Sequence, residues 1–152
     1  MNEDDASRLF ELGDLIHAVG RQIRPPGDLE PGPCTPVEII VMRYINRNPG
    51  TSARAAAEAT LLPSSNFSRV LRGLMTKGLV RREADLQDAR SVRLYPTAIA
   101  YSNTKRMRDA WSRLLDGIVD DPATIGFLST TLGHIEKELI ARRKASGEHH
   151  EP

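Results

Sequence analysis

A single cysteine, Cys34, stands among the 152 residues, so no disulfide framework can staple one copy of the chain. Long apolar runs are missing as well. Stretches such as Ile39-Ile40-Val41-Met42 are far too short to span a bilayer, which needs about 20 apolar residues. The N-terminus, Met1-Asn2-Glu3-Asp4-Asp5, is acidic, and no apolar stretch of signal-peptide type follows it. The expectation is a cytoplasmic protein with no membrane partner. The chain also lacks a nucleophile–base set, a phosphate-cradling glycine loop and metal-ligand spacing. These absences point away from an enzyme and from any cofactor or metal.

What is present is ordinary globular material. Hydrophobic residues make up 39% and charged residues 27%, which is neither disordered nor fibrous, and the length suits one domain's worth of core. The net charge of +1 conceals an asymmetry. Residues 1–50 carry five Lys/Arg against eight Asp/Glu, residues 51–93 eight against four, and residues 94–152 eight against eight. The basic excess sits in the middle third, as expected when one module faces phosphates.

Apolar spacing predicts helices at both ends. Over residues 5–24, Leu9, Leu12, Ile16, Val19 and Ile23 fall at 3-4-3-4 intervals until Pro25-Pro26-Gly27 stops them. The pattern recurs late in the chain, with Ile125, Leu128, Leu132, Ile135 and Leu139. A monomer has little use for two such seams, so helices within 5–24 and 97–143 are expected to form a dimerisation region, with 144–152 as a disordered tail. Between them, Thr35-Pro36 followed by Glu38 has the pattern of a capping box opening a helix.

The middle, residues 35–97, reads as a winged helix-turn-helix. A short Ala-rich helix is expected at 53–59, a tight connection through Leu61-Leu62, a second helix at 63–77 closed by Gly78, and a wing at 79–96 made of two short strands. On a helical wheel, Phe67, Val70, Leu71 and Leu74 gather on one side, with Ser65, Arg69, Arg72 and Thr76 opposite. The second helix holds Arg69, Arg72 and Lys77 and no acidic residue. Small polar residues near its start (Ser64, Ser65, Asn66 and Ser68) let the backbone approach phosphates and base edges. On the hairpin, Asp88 is expected to shape the tip and Arg90 to reach DNA. Asp85 is expected in salt bridges that shape the wing.

In this order, the motifs resemble the multiple-antibiotic-resistance regulator (MarR) family of winged-helix repressors. The resemblance is carried by Ala56-Ala57-Glu58, Leu62, Phe67-Ser68-Arg69, Leu74, Lys77-Gly78-Leu79-Val80, the wing signature Asp88-Ala89-Arg90-Ser91, and Thr97 at the head of the next helix. It implies a mainly α fold with a small β-wing and a helical dimerisation domain. The implied function is a homodimeric transcriptional repressor on a pseudo-palindromic DNA operator, released by a small-molecule effector bound between the two regions. The sequence departs from the family pattern in four places. Leu61 stands where the turn usually holds glycine, Pro63 replaces a capping serine, Pro96 replaces a leucine, and Ala89 replaces a second wing arginine.

Two other functions use the same residues. One is a winged-helix protein-interaction module without DNA binding. The other is a redox-responsive regulator using Cys34, although this cysteine follows a Pro/Gly loop and reads as a bystander. His17 and His134 have no ligand-like neighbours in sequence, and His149-His150 lie in the expected tail.

Overall fold

The computed structural model describes residues 2–85 and 91–147. Its elements, in order, are α1 (Glu3–Gln22), α2 (Pro36–Arg47), β1 (Thr51–Ser52), α3 (Ala53–Thr60), α4 (Ser64–Thr76), β2 (Val80–Ala84), β3 (Val92–Pro96), α5 (Ala98–Leu115) and α6 (Pro122–Ser146).

Most helices begin on a side chain that accepts from an otherwise unbonded backbone N–H. Asn2 caps α1, accepting from Asp5 at 2.7 Å. Thr35 caps α2 in a reciprocal box: its hydroxyl accepts from the Glu38 N–H, and the Glu38 carboxylate accepts from the Thr35 N–H. Ser52 caps α3, Thr97 caps α5 and Asp121 caps α6. Thr97 has a second use. Its hydroxyl donates to the Gly78 carbonyl at 2.6 Å, tying the start of α5 to the end of α4.

The core lies entirely between residues 41 and 100. Val41 and Ile45 of α2, Ala56 of α3, Phe67, Leu71 and Leu74 of α4, and Leu94 of β3 are buried together. Helix α4 comes so near α2 that a Cβ on Gly73 would meet the Glu38 carboxylate at 3.1 Å, which explains the glycine in mid-helix. By contrast, α1 and α6 contain no buried residue.

Three details differ from the sequence expectation. The sheet has three antiparallel strands in the order β1-β3-β2, because Thr51 and Ser52 pair with Leu94 and Arg93 ahead of the hairpin. A two-residue strand is too short to show alternation, so the sequence could not announce it. Second, α6 continues to Ser146 and ends on Gly147 in the left-handed region, so residues 144–147 of the expected tail are ordered chain. Only 148–152 of it falls outside the described residues. Third, the second helix of the helix-turn-helix, α4, runs over 64–76 rather than 63–77, with Pro63 just before it and Lys77 just after it.

Candidate nucleic-acid interface

Helices α3 and α4 meet at a turn whose corner is Leu61, with φ 57° and ψ 31°. This is the left-handed region that favours glycine, and it costs a leucine roughly 1–2 kcal/mol. The Leu61 N–H still closes α3 by donating to Ala57. Pro63 precedes α4 and provides no side-chain cap, so the substitution for serine leaves the first N–H groups of that helix without one.

On α4 the buried side is Phe67, Leu71 and Leu74, with Val70 half-buried beside them. Ser65, Ser68, Arg69 and Arg72 are exposed away from it, Ser64 is exposed at the first turn, and Asn66 is half-buried. The Arg69 guanidinium donates to the Asn66 side-chain carbonyl at 2.9 Å, which holds that arginine against its own helix. Lys77 faces elsewhere. Its ammonium donates to Glu38 at 2.6 Å and to the Pro33 carbonyl at 3.3 Å. The third cation read on this helix is therefore a structural tie.

A residue not picked from the sequence joins the exposed side. Arg82 of β2 lines an open cleft with Ser68, Arg72, Met75 and Thr76, and among the described residues no carboxylate lines it. Its neighbour Arg81 is used on the opposite face of the strand, stacked over the Tyr95 ring at 4.9 Å and paired with Glu83. Strand alternation separates two adjacent arginines in this way. The sequence shows the pair, but the register of β2 decides which one faces α4.

At the hairpin, Asp85 is held by Arg93, whose Nε and Nη2 both lie 2.7 Å from the same carboxylate oxygen. The Asp85 N–H donates to the Ser91 carbonyl at 2.9 Å. Asp88 and Arg90 fall outside the described residues.

The residues read as a dimer seam stay uncovered in the single chain. Leu9, Leu12, Ile16 and Val19 of α1 are 40–57% exposed, and Ile125, Leu128, Leu132 and Leu139 of α6 are 42–51% exposed. Ile135 is half-buried. Phe10 and Phe127, outside the 3-4-3-4 spacing, are more exposed still, at 78% and 69%. Polar ties position these helices. Trp111 Nε1 of α5 donates to the Arg24 carbonyl at 3.1 Å, and Glu136 of α6 pairs with Arg43 of α2 at 2.7 Å.

Among the described residues no group of three His, Cys, Asp or Glu could hold a metal ion. No described helix is long and apolar enough to cross a membrane.

A family profile described as the MarR family matches residues 34–91. An HTH-type transcriptional repressor of Mycobacterium tuberculosis and another of Mycobacterium bovis are each 34% identical over 98 residues, covering 62% of this chain and 70% of theirs. Among solved structures, the transcriptional regulator SlyA superposes with a TM-score of 0.61 at 18% identity, covering 91% of this chain and 97% of its own. Streptococcus pneumoniae FabT, solved in complex with DNA, gives 0.61 at 18% identity over 88% of this chain and 96% of its own. A MarR-like regulator from Thermotoga maritima gives 0.65 at 18% identity, with 91% and 97% covered. At such identities these likenesses speak to the fold, a winged helix between flanking helices. With 34% identity across most of the length of curated repressors, and a family profile over its winged region, the chain belongs to the MarR family of transcriptional regulators.

Proposed function

We propose that the chain works in the cytoplasm as a homodimer that binds a pseudo-palindromic DNA operator, represses transcription there, and is released by a small molecule. The observation that carries the reading is the outward side of α4. It presents Ser64, Ser65, Ser68, Arg69 and Arg72 to solvent, and the helix contains no carboxylate to neutralise them. Such a face suits a major groove, where arginine pairs with guanine and small hydroxyls allow close approach. At the wing, Asp88 shapes the tip and Arg90 extends this contact into the flanking minor groove.

Dimerisation follows from α1 and α6, whose apolar seams are left exposed by the described residues of one chain. A second copy covers them and sets two recognition helices one helical turn of DNA apart, about 34–36 Å. A small molecule seated between the helical and winged regions then acts by favouring a different spacing. The relatives named as repressors, and FabT solved with DNA, support the reading.

Selecting bound fragments from genomic DNA tests it, followed by titration of the selected duplex against salt. The expected result is saturable binding whose log K falls linearly with log salt, by about 0.9 for each phosphate neutralised. Absence of duplex binding at low salt would favour a protein-interaction module instead. A small-molecule screen for release of the selected duplex then tests the effector.

A further inference from the structure

The spacing that marks α6 as a subunit-contact helix ends at Leu139, yet the helix continues for two more turns. Those turns carry Arg142, Arg143 and Lys144. The Glu136 pairs with Arg43 and Arg47 brace α6 along α2. Beyond this brace the end of α6 reaches the amino end of the recognition helix. There Arg143, Lys144 and Gly147 face Arg54, Ser64 and Ser68 across an open cleft of about 880 Å³.

The charges around this cleft do not cancel. Arg54 is satisfied by Glu58 at 2.8 Å. Arg143 and Lys144 are exposed, and neither side chain has an ion pair among the described residues. Two cations with no ion pair among the described residues thus stand beside the helix read as the groove helix, at the end opposite the cleft of Arg72 and Arg82. A helix in a major groove about 12 Å wide runs between two phosphate backbones. The cationic clefts at its two ends fit those two walls.

We infer that the last turns of α6 belong to the DNA interface, with Arg143 and Lys144 holding backbone phosphates beside the amino end of α4. This rests on the reading of α4 as the groove helix. It makes one helix both a dimer contact and a DNA contact, so any shift of the dimer region alters the grip on the backbone directly.

The test uses the full chain, the double variant Arg143→Ala/Lys144→Ala, and the reversal Arg143→Glu/Lys144→Glu. Light scattering should give the parent's dimer mass for both. Affinity for the selected operator and for random duplex should fall by the same factor, at least about tenfold for the alanine variant and further for the reversal. The salt slope should become shallower by roughly two per subunit. Replacing single operator phosphates with neutral methylphosphonates should weaken the parent at several backbone positions, and at two neighbouring ones per half-site, those beside the amino end of α4, it should leave the alanine variant unaffected. Variants whose titrations superimpose on those of a DNA-binding parent overturn this inference alone. Variants that lose the dimer mass overturn it too, by assigning the α6 end to subunit contact. A parent that binds no duplex overturns the groove reading, and this inference with it.

Discussion

Lys77, the residue that follows the recognition helix, donates from its ammonium to the carboxylate of Glu38 in the first turn of α2 at 2.6 Å. Glu38 is 7% exposed, and its other contacts are the N–H and hydroxyl of Thr35. One buried carboxylate therefore caps α2 and anchors the end of α4. Removing the lysine leaves that charge buried with one partner fewer. Lys77→Met should cost about 2–3 kcal/mol in urea unfolding, a charge-assisted bond plus part of its desolvation.

The same pair has a pH signature. Burial pushes the Glu38 carboxyl up, but the hydrogen bonds from Lys77 and Thr35 and the Lys77 charge outweigh it and hold the carboxyl below its ordinary value of 4.5. Its contribution is whole above that value and is lost as the pH falls further. The Lys77 ammonium, hydrogen-bonded to Glu38, is raised above 10.5, so its contribution is whole below that and lost as the pH climbs past it. Glu38→Gln should lower stability at neutral pH and flatten the acid limb between pH 4.5 and lower values. An acid limb as steep as the parent's would show that other carboxylates set it.

On the groove face, Arg69→Ala and Arg72→Ala should each weaken operator binding, by about 1–3 kcal/mol where the arginine pairs with guanine. Both side chains are exposed, so thermal midpoints should hardly move. Asn66→Ala should resemble a mild Arg69→Ala, because it frees the Arg69 guanidinium from its brace. Operator titrations of the three variants, with melting curves alongside, check this.

Leu132 lies 47% exposed on the α6 seam. Leu132→Asp should put an unpaired charge into the subunit contact and give monomer or aggregate by light scattering. A native chain that is monomeric at micromolar concentration would remove the dimer from the proposal.

Leu61 offers a stabilising change. Leu61→Gly should relieve most of the left-handed strain, about 1 kcal/mol, and raise the thermal midpoint by a few degrees. Leu61→Ile should lower it, because β-branching worsens that conformation. Neither should alter the salt slope of DNA binding.

Cys34 is half-buried against the core. Burial raises its thiol above the ordinary 9.0, and the nearby Lys77 charge only partly offsets this. A thiol held protonated is a poor target for peroxide. Cys34→Ser should therefore bind DNA and respond to effector as the parent does. Peroxide-dependent release from DNA that disappears in the serine variant would establish the redox-responsive alternative.

The sequence by itself determined which segments are helices, roughly where they lie and which side of α4 is buried. The cap Thr35, the breakers Pro25 and Gly78, and the period of Phe67, Leu71 and Leu74 act within one turn of chain, so they are legible without knowing the rest. Composition and local motif order likewise carried the family. Tertiary structure alone decided the matters that depend on residues far apart in the chain. It paired Thr51–Ser52 with β3, turned Arg82 toward α4 and Arg81 toward Tyr95, and took Lys77 away from the exposed side of α4 to meet Glu38. It also carried Arg143 and Lys144 to the recognition helix across some eighty positions of sequence. A charge has no direction until the backbone around it is packed, so a list of cations in sequence cannot say which of them face a phosphate.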